Sequence, residues 1–197
     1  LFCTVGTLLL VACAANATVV TYSFSGYVDW IKDTHRILDG SVSLNTTFVA
    51  TYSWETSTPP SSVSPTLNRY DGSMVDFTLT LGSYSVNDPG AWNSALVKNG
   101  MPDEFSVIAN PRPFAGQMVI IGQTLGDADG DVLSTWELPN TLPSLSEFEE
   151  RTFALFNSSG SLGIFGIITS LTPEPSAIFF LVLGIATAFS PRPQRLR

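Results

Sequence analysis

The sequence predicts an all-β fold: a single β-sandwich ectodomain, with its strand order, jelly-roll-like or immunoglobulin-like, left open. Three observations carry that expectation. Apolar and polar residues alternate with period two through several short segments, as they do when a strand buries one face and wets the other. Pairs such as Asp39-Gly40, Asp71-Gly72, Asn99-Gly100, Asp129-Gly130 and Ser159-Gly160 fall between these segments. Asp, Asn and Gly supply the backbone conformations that tight reversals need. Helical periodicity is almost absent, and many short strands with regular turn signals describe a sandwich.

Taken in order, residues 1–17 read as a secretory signal peptide: an apolar stretch too short to span a membrane, ending in the small-x-small pattern Ala15-Asn16-Ala17. Cleavage is expected after Ala17. Leu10-Val11-Ala12-Cys13 also fits a lipoprotein box, which would put a lipid on Cys13 instead. The first strand is expected over 20–30, with Val20, Tyr22, Phe24, Val28 and Trp30 on the buried face and Gly26 interrupting them. Phe48, Ala50, Tyr52 and Trp54 repeat the pattern, as do Val75, Phe77, Leu79 and Leu81. Between them, 56–68 is rich in Pro, Ser and Thr and is expected to be a long surface loop. Further strands are expected over 105–109, 117–125, 152–156 and 161–170, the last two joined as a hairpin through Ser159-Gly160. One short helical turn is expected near 144–149, capped by Ser144 or Ser146. The domain therefore runs from 18 to 171, followed by a distinct segment at 172–197.

Both cysteines, Cys3 and Cys13, lie in the leader, so the domain has no disulfide framework and no thiol chemistry. Its stability must come from core burial. From 18 to 172 the chain carries six Lys and Arg against sixteen Asp and Glu. Such a surface repels a phosphate backbone, so nucleic acid is not expected as a partner.

No catalytic residue stands out. The one histidine, His35, sits in a polar turn-like stretch, and neither a triad order nor a nucleophile elbow is present. Asp103-Glu104 and Glu149-Glu150 offer carboxylates, but acid–base chemistry needs them at a set separation in a cleft, which spacing alone does not show. In Gly126-Asp127-Ala128-Asp129-Gly130-Asp131, carboxylates at i, i+2 and i+4 are how calcium loops gather hard oxygen ligands. Asp127, Asp129 and Asp131 are thus candidate calcium ligands. The favoured reading of the same stretch is a hairpin turn between 117–125 and 132–138, kept soluble by its acids, with calcium as the alternative. Tyr27, Trp92 and Trp136 are the aromatics proposed as exposed platforms, since flat apolar rings stack on sugars.

The end of the chain carries the sharpest pattern. Pro173-Glu174-Pro175 precedes an apolar run at 177–189, then Arg192, Arg195 and Arg197. The run is shorter than the roughly 20 residues of a perpendicular membrane helix. Arginines beyond it favour the cytoplasmic side. This layout resembles the C-terminal sorting signal of the PEP-CTERM proteins of Gram-negative bacteria. The likeness departs where Pro191, Pro193 and Leu196 interrupt the basic cluster. It implies export through the Sec translocon, a short hydrophobic C-terminal helix held transiently in the inner membrane, and processing at the tripeptide by an exosortase-type membrane enzyme. It also implies a final place at the cell surface or in the extracellular matrix. Two functions follow for the domain: a structural or adhesive component binding extracellular polysaccharide, or a secreted carboxylate-dependent hydrolase acting on polysaccharide.

Overall fold

The computed structural model describes residues 18–88 and 93–174, with nothing said of the side chains of 110 and 111. The leader with Ala15 and Ala17, Trp92, and the tail from Pro175 with Arg192, Arg195 and Arg197 lie outside the described residues. The strands are β1 (Val19–Asp33), β2 (Thr47–Glu55), β3 (Ser62–Val63), β4 (Asn68–Asp71), β5 (Met74–Leu81) and β6 (Tyr84–Asp88). They continue with β7 (Ser94–Lys98), β8 (Asp103–Phe114), β9 (Gln117–Asp127), β10 (Glu150–Asn157) and β11 (Leu162–Pro173). All pairings are antiparallel, in one continuous sheet of order β3-β4-β7-β8-β9-β10-β11-β1-β2-β5-β6. The all-β class is as the alternation predicts. The only helical element among the described residues is a single 3-10 turn, Leu145–Glu147, with Ser144 at the expected cap position and the Ser144 N–H donating to Glu147 Oε1 at 2.7 Å. No helix among the described residues is long and apolar enough to cross a membrane.

The sheet curls until its β6 end meets β8. Asp88 on β6 contacts Arg112 on β8 at 2.5 Å, and the rings of Tyr84 and Phe114 lie 4.7 Å apart. Inside the curl, side chains from both walls interleave. Phe24, Tyr52 and Phe77 stack in series with centroids 4.9 Å apart at each step, and Phe48 stacks on Phe153 at 4.4 Å. Gly26 and Gly166 make room for that last pair. A Cβ at Gly26 would stand 1.9 Å from the Ile167 carbonyl oxygen and 2.7 Å from the Phe48 ring. The glycine that interrupts the alternation is therefore a close approach of two strands over a buried ring.

Three expectations are corrected by the backbone. Asp29 is an extra residue opposite the Val28–Gly166 and Trp30–Phe165 pairs, a β-bulge that reverses the face of everything after it. Trp30, expected in the core, is consequently exposed. Val75 is likewise the extra residue between the Ser53–Asp76 and Trp54–Met74 pairs and faces solvent. The stretch 56–68 is not wholly a loop, because Ser62–Val63 pairs with Asn68–Arg69 as a short edge hairpin.

Residues 132–138 form no strand, so the expected hairpin after β9 is also absent. Instead 128–149 crosses one end of the curl and plugs it, burying Leu133, Leu138, Leu142 and Phe148. The plug is pinned by side chains from the wall. Trp54 Nε1 donates to the Pro139 carbonyl at 3.0 Å, the Tyr70 hydroxyl to that of Trp136 at 2.5 Å, and the Leu142 N–H to the Tyr22 hydroxyl at 2.8 Å. A buried loop backbone needs such partners, since unpaired polar groups cost more inside than at the surface.

Candidate functional site

The outer surface of the sheet, opposite the core, carries a second apolar band. It arises because 153–156 and 162–168 are apolar at both parities, so β10 and β11 are greasy on two faces. The cross-strand register orders it. Ile108 lies opposite Gly122, Gly122 opposite Ala154, Ala154 opposite Phe165, and Phe165 opposite Trp30. A parallel row runs Ser106, Thr124, Thr152, Ile167, Tyr27. Trp30 and Phe165 meet edge to face at 5.3 Å, and the indole lies over Gly163, where a Cβ would come within 3.1 Å of its ring. Even so packed, Trp30 remains 46% exposed, Phe165 43%, Phe156 39% and Ile167 37%. Aromatic pairs of this kind are normally covered, and a contiguous apolar patch on a sheet face marks a contact surface.

Beside the aromatic pair the band dips into a concavity of about 230 Å³, with Gly122 and Ala154 in its lining. Leu96, Ile108, Ile120 and Phe156 line it together with Ser106, Thr124, Thr152 and Glu104. The hydroxyls form a chain: Ser106 Oγ donates to Glu104 Oε1 at 2.6 Å and lies 3.0 Å from Thr124 Oγ1.

The aromatics singled out from sequence are distributed differently. Tyr27 is half-buried on the outer face, at the far end of the band, and Trp136 is half-buried in the plug. Trp30, Phe156 and Phe165 were missed. The signal that pointed to the band is the apolar run through both parities of 153–156 and 162–168, which a strand buried on one face does not need.

The acidic loop does not gather its carboxylates. Asp127 is buried and its Oδ2 accepts the N–H groups of Gly130 at 2.9 Å and Asp131 at 3.1 Å, while Asp129 and Asp131 point to solvent. No group of three or more His, Cys, Asp or Glu side chains among the described residues is placed to hold a metal ion. In this geometry the carboxylates of Asp127, Asp129 and Asp131, the candidate calcium ligands, do not converge, because the first closes the turn on itself. Gly130, at φ +74°, abuts the Gly100 carbonyl so closely that a Cβ would stand 2.7 Å from it.

A cleft of about 230 Å³ does bring together Asp103, Glu104, Asp127, Glu149 and Glu150. Asp103, opposite Asp127 in register, is fully buried and accepts from Gly100 N at 2.6 Å and Leu133 N at 2.7 Å. The two buried acids thus hold loop ends together. His35 is exposed in its turn.

The terminal motif sits against the domain wall. Pro173 is the last residue of β11, paired with Tyr22, and Glu174 N donates to the Thr21 carbonyl at 2.9 Å. The start of β1 and the end of β11 are therefore neighbours at one pole, with the Glu174 side chain exposed. No protein-family model, curated protein or solved structure matches this chain.

Proposed function

We propose that this chain is an exported protein of the cell surface or extracellular matrix, with a non-catalytic β-sandwich ectodomain that binds extracellular polysaccharide and a sorting signal at 172–197. In this reading the Sec translocon exports the chain and the leader is removed after Ala17. The apolar run at 177–189, with Arg192, Arg195 and Arg197 beyond it, then holds the chain in the inner membrane. An exosortase-type enzyme processes it at Pro173-Glu174-Pro175. The curled sheet serves as the sandwich, its two walls facing each other across the core.

One observation supports the reading most. The first strand and the last lie side by side, Tyr22 against Pro173, so the two ends of the described domain sit at one pole. A domain built that way presents one end to a membrane and the rest of its surface to the outside. The proline-framed tripeptide begins in the last strand pair with no spacer, so a processing enzyme would meet it at the domain wall.

The test is a C-terminal epitope tag followed through fractionation in a host that carries the sorting enzyme. Wild type is expected to lose the tag, and Glu174→Ala to keep it in the membrane fraction at full length. Equal retention by both would show a plain anchor and end the sorting reading.

A further inference from the structure

We infer that the outer-face concavity, continued across the strands to the Trp30–Phe165 pair, binds a neutral polysaccharide chain. This rests on the matrix-binding reading above and names its site. The lining has two halves of opposite character. Leu96, Ile108, Ile120 and Phe156 form the apolar half, and Ser106, Thr124 and Thr152 the hydroxyl half. A hydroxyl has one hydrogen to donate and two lone pairs. Ser106 spends its hydrogen on Glu104, so in its 3.0 Å contact Thr124 is the donor. The row is thereby polarised toward the carboxylate, and Thr124 offers its lone pairs to an incoming donor.

A pyranose matches both halves. Its C–H face is apolar and stacks on aromatic rings, while its rim carries hydroxyl donors. The carboxylate at the end of the row and the acidic domain around it turn away uronic, sulfated or phosphorylated polymers. A lipid or an apolar face of a second copy would cover the same band only by stripping water from Glu104 and the hydroxyl row, which costs free energy without a partner.

Size argues for a chain rather than a single enclosed sugar. The concavity, at about 230 Å³, lies below the roughly 300–1,000 Å³ of pockets that enclose a ligand. From Gly122 through Ala154 and Phe165 to Trp30 the register row crosses three strand spacings, about 14 Å. A polymer lying across the strands meets Phe156 at the concavity and the Trp30–Phe165 pair further on.

The experiment is affinity electrophoresis of the full chain in a polyoxyethylene detergent. The gels contain a soluble neutral β-glucan, dextran, a galactomannan or a uronic-acid polymer. At least one neutral polymer should retard wild type and the uronic-acid polymer should not. Trp30→Ala and Phe156→Ala should each weaken retardation about tenfold, and Thr124→Val about fivefold, the range of a lost stacking contact and a lost hydrogen bond. Val63→Ala, exposed on a distant edge strand, should leave it unchanged. If a neutral polymer retards all variants equally, the site is wrong while the matrix reading stands. If no polymer retards the chain, both fail. Retardation by the uronic-acid polymer alone, or a dimer by sedimentation that Phe165→Glu dissociates, would also overturn the proposal.

Discussion

Phe153 and Phe165 stand on the two strands of one hairpin and face opposite ways. Phe153 points inward, fully buried, and stacks on Phe48 at 4.4 Å above Gly26 and Gly166. Phe165 points outward, edge-on to Trp30, and nearly half of it meets solvent. The chemistry of the two rings is the same; what differs is whether a second wall of the sheet covers them. On the inner side β1, β2 and β5 supply that wall with Phe24, Tyr52 and Phe77. On the outer side nothing among the described residues does. The inner ring stabilises the fold, and the outer one is left for a contact that the domain does not make with itself.

The comparison can be broken most directly by putting a carboxylate at each position. Phe153→Asp loses about 2–3 kcal/mol of apolar burial and adds an unpaired buried charge, so it should lower stability by more than about 4 kcal/mol or prevent folding. Phe165→Asp should change the melting free energy by less than about 1 kcal/mol. Thermal or urea unfolding of the two variants reads the difference; equal losses would mean that the outer face is also core. Next in size is Gly26→Ala. Its Cβ would fall 1.9 Å from a carbonyl oxygen of the neighbouring strand, and backbone cannot retreat as a side chain does. A loss of about 3 kcal/mol or more is expected.

A smaller effect of opposite sign tests the inner face from another side. The Tyr52 hydroxyl is buried without a hydrogen-bond partner among the described residues, and burial pushes its pKa far above the ordinary phenol value. Tyr52→Phe removes that uncompensated group and keeps the ring stack, so stability should rise by about 1 kcal/mol in urea unfolding.

The smallest expected effect lies at the surface. The hydroxyls of Ser41 and Ser83 and the Ser41 N–H hold Asp39 at a pKa of about 2. Its folded value is below the unfolded one, near about 3.9. Asp39 therefore contributes stability that is present above about pH 4 and lost as pH falls toward 2. Asp39→Asn should flatten the acid limb of the stability curve over that window and nowhere else; a change at neutral pH alone would contradict the assignment.

Much of the inner face was legible because alternation is a local property. Tyr22, Phe24, Val28, Phe48, Ala50, Tyr52 and Trp54 occupy the core positions their period implies. Two of the failures share one cause. A single extra residue, Asp29 or Val75, reverses a strand's face without leaving a mark in composition, and it put Trp30 on the wrong side. The plug at 128–149 was also unreadable, because its four buried apolar residues are spaced by the shape of the opening they fill rather than by a period. The terminal motif was visible in the sequence, but its attachment to Thr21 depends on pairing between the two ends of the domain. The outer band is harder still. It is assembled from β7 through β11 and β1, and only the runs at 153–156 and 162–168 hinted at it.

The central claim is that the domain has one covered apolar face and one that takes a ligand. Hydroxyl-radical footprinting of the full chain, read by mass spectrometry with and without the neutral polymer that retards it most, tests this at the residues concerned. In the free chain Trp30, Phe156 and Phe165 should be modified, while Phe24, Phe77 and Phe153 should stay protected. On adding the polymer, protection should appear at Trp30, Phe156 and Phe165 and leave exposed Val63, on the edge strand, unchanged. Modification of Phe153 as fast as Phe165, or polymer protection confined to residues off the outer band, would contradict the account.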